Sequence, residues 1–560
     1  MELKTALCIA AVAVRGAAFA GGYPYSPAAL NDVKVTGGFW LSRVETNRLV
    51  TVKTDFRKCE VTGKRTLLDV AIKNADLVAK TFGLGEGQSR ETSGHEEIEI
   101  GLCRLYQATG DAKYLKLAQH FIDMRGRKDL RPVWGAAYQD HKPVLEQKEA
   151  LGHAVRAAYL YAGMADVAAL TGNTAYVDAI DALWENVVGR KLHLNGGIGA
   201  RRHVKYRDLA LGSAHEAFGD EYDLQNLDAY LETCAAIGNA LWNERMFLLH
   251  GDAKYIDVME RTLYNGLISG VSIGGDEFFY PNPLASKGGY KRSKWFGCSC
   301  CPVNVVRFIP QIGRFAYAAK GDSAYVNLFV ESEVKLRLAG GEVKLVQKTA
   351  YPWNGKVRID VENSRTLKPS NSQTFKLHIR VPGWCVGRPV PSDLYEQVVP
   401  GTLDDFRVTV NGAAVKVVPV KGYCVIDRAW KAGDVVEVAM NMTVRRVKAN
   451  DKVAADRGRA AVERGPIVFC AEGIDNGGKV LDACLPLDTT FTEGETEIAS
   501  TRMVSLTGGG LTLVPYFAWC HRGAGEMQTW FAASTEATEF RIRLKCRPKR
   551  SAGIVEIRTR

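Results

Sequence analysis

The sequence predicts a multidomain α+β protein: an α/α toroid over residues 21–320, then one or two antiparallel β-sandwiches over 321–560. Three observations predict it. From about Thr66 to Lys320 apolar residues recur at three- and four-residue steps, as in "TLLDVAIKNADLVAKTFG" and "LGHAVRAAYLYAGMADVAALTG". A turn phrase repeats through the same region. From Tyr325 onward the period changes to two.

The first element, "MELKTALCIAAVAVRGAAFAGG", has a lysine, a short apolar run and Ala18-Phe19-Ala20 before Gly21. It reads as a secretory signal over 1–20, which implies export to the periplasm or beyond. Next, "DVKVTGGFW" is strand-like and can join one of the β units. The helical region carries "TGDAKYLKLAQHF", "TGNTAYVDAIDAL" and "HGDAKYIDVMERT". In each a Gly supplies a left-handed C-cap, Asp or Asn an N-cap, and a Tyr (Tyr114, Tyr176, Tyr255) follows in the next turn. The copies lie roughly 60 to 80 residues apart, which makes them a repeat of helix pairs. That spacing is too loose for a solenoid and fits a toroid with long loops around one mouth. A fourth copy, "KGDSAYVNLFVESEV", leads into strands such as "GKVRIDVEN", "FKLHIRVPGW" and "FRVTVNGAAVKVVPV". The domain boundary therefore falls near residue 320.

The chain has 560 residues, 46% hydrophobic and 24% charged, ordinary values for a globular protein of several domains. No segment beyond the leader is long and apolar enough to span a membrane. The net charge of +11 is modest and partly concentrated in "RIRLKCRPKRSAGIVEIRTR". No nucleic-acid motif accompanies it, so a solvated basic surface, or one that meets an acidic polymer, is the reading. The 13 cysteines do not form the dense pattern of a disulfide scaffold.

Three of them, however, crowd "WFGCSCCPVNVVRF": Cys298, Cys300 and Cys301. Adjacent cysteines rarely bond each other, and a thiolate group in a chain of this size is economically held by zinc. Glu232 and Cys234 in "AYLETCAAIGNALW" can complete a tetrahedron if the backbone there is not yet regular helix. A carboxylate ligand is unusual for a structural zinc and points to chemistry. The alternative is a buried, cysteine-rich helix start with Pro302 in its first turn. Upstream, Glu216, Asp220, Glu221 and Asp223 crowd one loop, where a carboxyl kept protonated could act as a general acid. Alone, such a cluster is as readily solvated surface.

With these residues in view, the sequence resembles the bacterial β-L-arabinofuranosidases of glycoside hydrolase family 127. The match runs through "LNDVKVTGGFWLSRVETNR", "HEAFGDEYDL", "ETCAAIG", "ERTLYNG", "FFYPNPL" and "WFGCSCCPVNVVRF" into "HIRVPGW", "ERGPIVF" and "LTLVPYFAW". The resemblance implies an (α/α)6 barrel followed by β-sandwiches. It implies zinc held by Glu232, Cys234, Cys300 and Cys301, with Cys298 outside the set. Cys300 would be the nucleophile and Glu216 the acid/base of a retaining, exo-acting hydrolase of plant glycans or glycoproteins. His95, His153, Glu260 and Tyr280 would contact the sugar. A second copy of the chain, paired through the β domains, would be a partner. Two other readings share these features: the same architecture acting on another pectic sugar, and a zinc-stapled carbohydrate-binding protein without turnover.

Overall fold

The computed structural model describes residues 22–51, 67–363 and 373–533. The leader at 1–20 lies outside them. The longer α-helices are α1 (Gly38–Thr46), α2 (Leu67–Thr81), α3 (Ile98–Thr109), α4 (Ala112–Asp123), α5 (Ala154–Thr171), α6 (Thr174–Arg190), α7 (Thr233–His250), α8 (Ala253–Thr262) and α9 (Cys300–Phe308).

The turn phrase joins the helices in pairs. Gly110, Gly172 and Gly251 end α3, α5 and α7 at φ of 74°, 72° and 66°, a conformation glycine adopts without a Cβ clash. Asp111, Asn173 and Asp252 then cap α4, α6 and α8 by accepting the backbone N–H two residues on. Tyr114, Tyr176 and Tyr255 are each buried. Tyr114 donates to Asp76, Tyr176 donates to Asp123, and Tyr255 stacks on His250.

The first members of these pairs, α3, α5 and α7, pack side by side with α9. Nearly every residue of α5 and α7 is buried. A helix apolar on all sides belongs in an interior, and small residues bring these two together. A Cβ added at Gly238 of α7 would lie 2.9 Å from that of Ala158 on α5. By contrast α4 and α6 keep an exposed face.

The β region begins at Tyr317. A five-stranded sheet and a seven-stranded sheet each draw all but one of their strands alternately from residues 317–440, the remaining ones being Ser26–Pro27 and Val33–Val35, and a ten-stranded sheet takes most of the rest. Strand Ser332–Leu338 shows the pattern: Val334, Leu336 and Leu338 are buried, Lys335 and Arg337 exposed. The early strand Val33–Val35 pairs antiparallel with Ser332–Val334 of the seven-stranded sheet. A strand from the helical half, Ala285–Lys287, pairs with Glu526–Gln528 of the ten-stranded sheet. Helical and β regions therefore share sheets as well as side-chain contacts. Among the described residues no helix is long and apolar enough to cross a membrane.

The contact between α8 and the β region is ionic. Arg380, fully buried, pairs with Asp257 at 2.6 Å and with Glu260, which also accepts from Tyr351 and Trp384. Removing one partner from such a set leaves a buried charge uncompensated, at a cost of about 3–5 kcal/mol. Glu260→Ala is therefore expected to lower the midpoint of thermal or urea unfolding sharply while leaving KM of the folded fraction unchanged.

Candidate active site

Two helix N-termini converge at the mouth of the helical domain. Glu232 is the N-cap of α7 and Cys234 its second residue, while Cys300 and Cys301 are the first two residues of α9. Glu232 still has non-helical backbone angles, φ −59° and ψ 139°, which lets its carboxylate and the Cys234 thiol face one point. Pro302 costs α9 nothing in its first turn, where its missing N–H would have no helical partner. The positive ends of both helix dipoles favour negative charge here.

One ligand atom from each of Glu232, Cys234, Cys300 and Cys301 lies within 4.8 Å of the others. Glu232 makes no capping bond. Its Oε1 lies 3.4 Å from Cys300 Sγ and accepts from Cys301 Sγ at 3.5 Å. Its Oε2 is buried without a partner. An orphaned carboxylate oxygen facing three thiols is a costly arrangement on its own, and a bound cation would satisfy it. The group can hold a metal ion.

The acidities diverge accordingly. Burial pushes Glu232 and Cys301 well above their usual ranges. Cys234 is pushed up chiefly by its hydrogen bond to Cys300. Cys300 is held far below the usual thiol range, first by the bond from Cys234, then by Cys301, Tyr280 and Glu232. Without a cation, the negative charge of this group collects on Cys300. Tyr280, its phenol pushed up by burial and then by Glu232, stays protonated and donates to Cys300 Sγ at 3.0 Å. Cys298 is exposed, 3.8 Å from the same hydroxyl and outside the ligand group.

The segment that carries Tyr280 is stitched to the start of α7. Thr233 N–H donates to the Tyr280 carbonyl at 3.0 Å, and Asn282 Nδ2 donates to the Leu231 carbonyl at 3.0 Å. Tyr516 of the C-terminal region donates to the Asn282 carbonyl at 2.7 Å. The β region thus fixes the loop that aims Tyr280 at Cys300.

Glu216 is the penultimate residue of a two-stranded hairpin, Arg201–Lys205 with Ser213–Ala217, at φ +54°. Such backbone strain in a non-glycine residue persists only where the surroundings over-determine it. Here they do. Oε1 accepts from Tyr230 at 2.8 Å and Oε2 from His153 Nε2 at 3.1 Å. His153 caps α5 by accepting the Arg156 N–H at Nδ1, which leaves the proton on Nε2 facing Glu216. These bonds, His153 first, hold the Glu216 carboxyl below the usual range. His153, Glu216 and Glu232 offer atoms within 4.8 Å of one another, so the two clusters adjoin. The His95 ring centroid is 6.1 Å from that of His153, with Nδ1 2.7 Å from the Glu96 carbonyl oxygen.

The structure thus gathers Glu216, Glu232, Cys234, Cys300, Cys301, His153, Tyr280 and, at the rim, His95. It does not gather Glu260. That carboxylate is 1% exposed and engaged by Arg380, Tyr351 and Trp384, so the sugar-contact assignment is corrected to a structural one. Tyr230 is the residue that the sequence reading missed. Its signal was its place two residues before Glu232, but Leu231 between them stands at φ +41°, which no periodicity reveals.

Comparison with known proteins agrees along the chain. The profile of the β-L-arabinofuranosidase, GH127 catalytic domain matches residues 57–314. The family's middle domain matches 323–442 and its C-terminal domain 444–532. A non-reducing end β-L-arabinofuranosidase of Bifidobacterium longum subsp. longum is 30% identical over 533 residues, covering 84% of this chain and 76% of that protein. A solved GH127 β-arabinofuranosidase superposes with TM-score 0.85 at 38% identity, over 92% of this chain and 99% of the other. A GH127 β-L-arabinofuranosidase from Geobacillus stearothermophilus T6 gives TM-score 0.74 at 37% identity, over 88% and 79%. With all three of the family's domains matched in order and this identity over most of both chains, the protein belongs to glycoside hydrolase family 127.

Proposed function

We propose that the protein is an exo-acting, retaining β-L-arabinofuranosidase in which Cys300 is the nucleophile and Glu216 the acid/base. The observation that carries this is one juxtaposition. Glu216 lies within 4.8 Å of Glu232, and Glu232 Oε1 is 3.4 Å from Sγ of Cys300, the thiol whose acidity its neighbours raise. Nucleophile and proton donor then face a single small site, as retaining hydrolysis requires. The β-L-arabinofuranosidase activity of the relatives supplies the glycone.

Glu232, Cys234, Cys300 and Cys301 would hold a zinc ion. Thiolates on tetrahedral zinc lie about 3.8 Å apart, and Cys300 Sγ is 3.9 Å from Cys301 Sγ. Bound there, zinc supplies the positive charge that keeps all the thiols ionised together. In the first step a bond forms from Cys300 Sγ to the anomeric carbon and the bond to the leaving oxygen breaks, that oxygen taking the Glu216 proton. In the second, Glu216 takes a proton from water, the water oxygen attacks the anomeric carbon and the thiolate leaves. Tyr280 positions Cys300, and Tyr230 with His153 orients Glu216. The leader would carry the enzyme to the periplasm or beyond, where plant-derived oligosaccharides are met.

The test is release of free arabinose from a synthetic β-L-arabinofuranoside by the zinc-loaded mature protein. Release fixes glycone and anomer. No release from a folded, zinc-loaded sample rejects this glycone and directs the search to other pectic sugars.

The pH profile supplies a second check. Tyr230 stabilises the ionised form of Glu216, so removing its hydroxyl raises the Glu216 pKa. Activity that needs the protonated acid is lost as pH rises through that pKa. Tyr230→Phe is therefore expected to move the alkaline limb of kcat/KM to higher pH, and a limb that stays or moves down contradicts the role.

A further inference from the structure

The hairpin that carries Glu216 also carries an exposed cation, Arg202. Its register pairs Arg201 with Ala217 and His203 with His215, which places Arg202 opposite Glu216. Side chains alternate along a strand. Val204 and Tyr206, which share the parity of Arg202, are buried in the domain, whereas His203 and Lys205 on the other face are exposed. Arg202 is therefore on the site-facing side of the hairpin, yet it lies far enough out to remain exposed.

Its neighbours are already committed. Arg201 pairs with Asp223 and Arg207 with Asp220, at 3.1 and 3.2 Å. Among the described residues Arg202 has no carboxylate within ion-pair distance. Arg202 thus stands opposite Glu216 on the hairpin with its side chain exposed.

This inference rests on the arabinofuranosidase reading. A general acid protonates the leaving oxygen, so groups just outside it on the same element meet the aglycone and not the arabinose. We propose that Arg202 is a specificity-determining residue of the leaving-group subsite and that it selects substrates whose next sugar carries a carboxylate, a uronic acid. A guanidinium pairs a carboxylate through two parallel N–H donors, whereas a neutral hydroxyl uses only one.

The test compares two substrates of one shape: a β-L-arabinofuranosyl galacturonate and its methyl ester, read as arabinose released. The wild-type protein is expected to favour the free acid about tenfold in kcat/KM, the scale of one charged hydrogen bond at an exposed site. Raising ionic strength narrows the ratio. Arg202→Gln brings the ratio to about one. Lys205→Gln, which removes the same charge from the opposite face of the hairpin, keeps the wild-type ratio. Equal rates for acid and ester in the wild type, or a ratio that survives Arg202→Gln, overturns the proposal. Loss of the ratio in Lys205→Gln assigns it to diffuse basic charge and overturns the placement at Arg202. Failure to cleave either substrate, or any simple aryl β-L-arabinofuranoside, defeats the arabinofuranosidase reading itself and is told apart by that last control.

Discussion

Cys300→Ser is expected to abolish turnover, lowering kcat/KM by at least about 10⁴-fold, the scale seen when a nucleophile is removed. The reason lies in acidity. The Cys300 thiol is ionised in its setting by bonds from Cys234, Cys301, Tyr280 and Glu232, whereas a serine hydroxyl in the same place keeps its proton at any working pH. The fold has little to lose, since Cys300 is only partly buried at the first turn of α9 and serine is nearly its size. Three measurements on one sample decide the matter: kcat/KM on an aryl β-L-arabinofuranoside, the melting curve, and bound metal per chain. Inactivity with an unchanged melt assigns the loss to chemistry. Cys298→Ser is the matched control. Cys298 is exposed and outside the ligand group, so its variant is expected to keep activity and metal. Substantial turnover by a folded Cys300→Ser protein rejects the nucleophile assignment.

The residues differ in how far their roles could be read from sequence. The repeated Gly-Asp-Ala-Lys-Tyr phrase was legible because capping is local: Gly251, Asp252 and Tyr255 do their work within six residues. The ligand group was legible for a related reason. Glu232 with Cys234, and Cys300 with Cys301, are two short pairs at helix starts, and only one docking of the pairs is needed to close the site. Glu260 was misread because its partner Arg380 lies 120 residues away on a strand. Nothing local separates a buried structural carboxylate from a sugar ligand. The grip of Tyr230 and His153 on Glu216 was hidden too. It depends on strained backbone at Glu216 and Leu231, which tertiary contacts impose against local preference.

Glu216→Gln separates the two steps of the reaction. A glutamine keeps the size and the bond from Tyr230 but can neither give nor take the proton. On a sugar or alkyl leaving group, which needs protonation, kcat/KM is expected to fall by about 10²–10⁴-fold. On a dinitrophenyl leaving group, which departs as the anion unaided, the first step survives. The second step still lacks its base, so the glycosyl-enzyme accumulates on Cys300. The expected trace is a burst of phenolate, equal to the enzyme present, followed by slow steady-state release. Azide needs no deprotonation and should restore turnover, giving the β-configured glycosyl azide by a second inversion at the anomeric carbon. Equal loss on both leaving groups, with no burst, would reassign Glu216 to a structural role beside His153. A product of inverted configuration would mean that azide attacked the substrate directly, and with it the covalent step on Cys300 would fall.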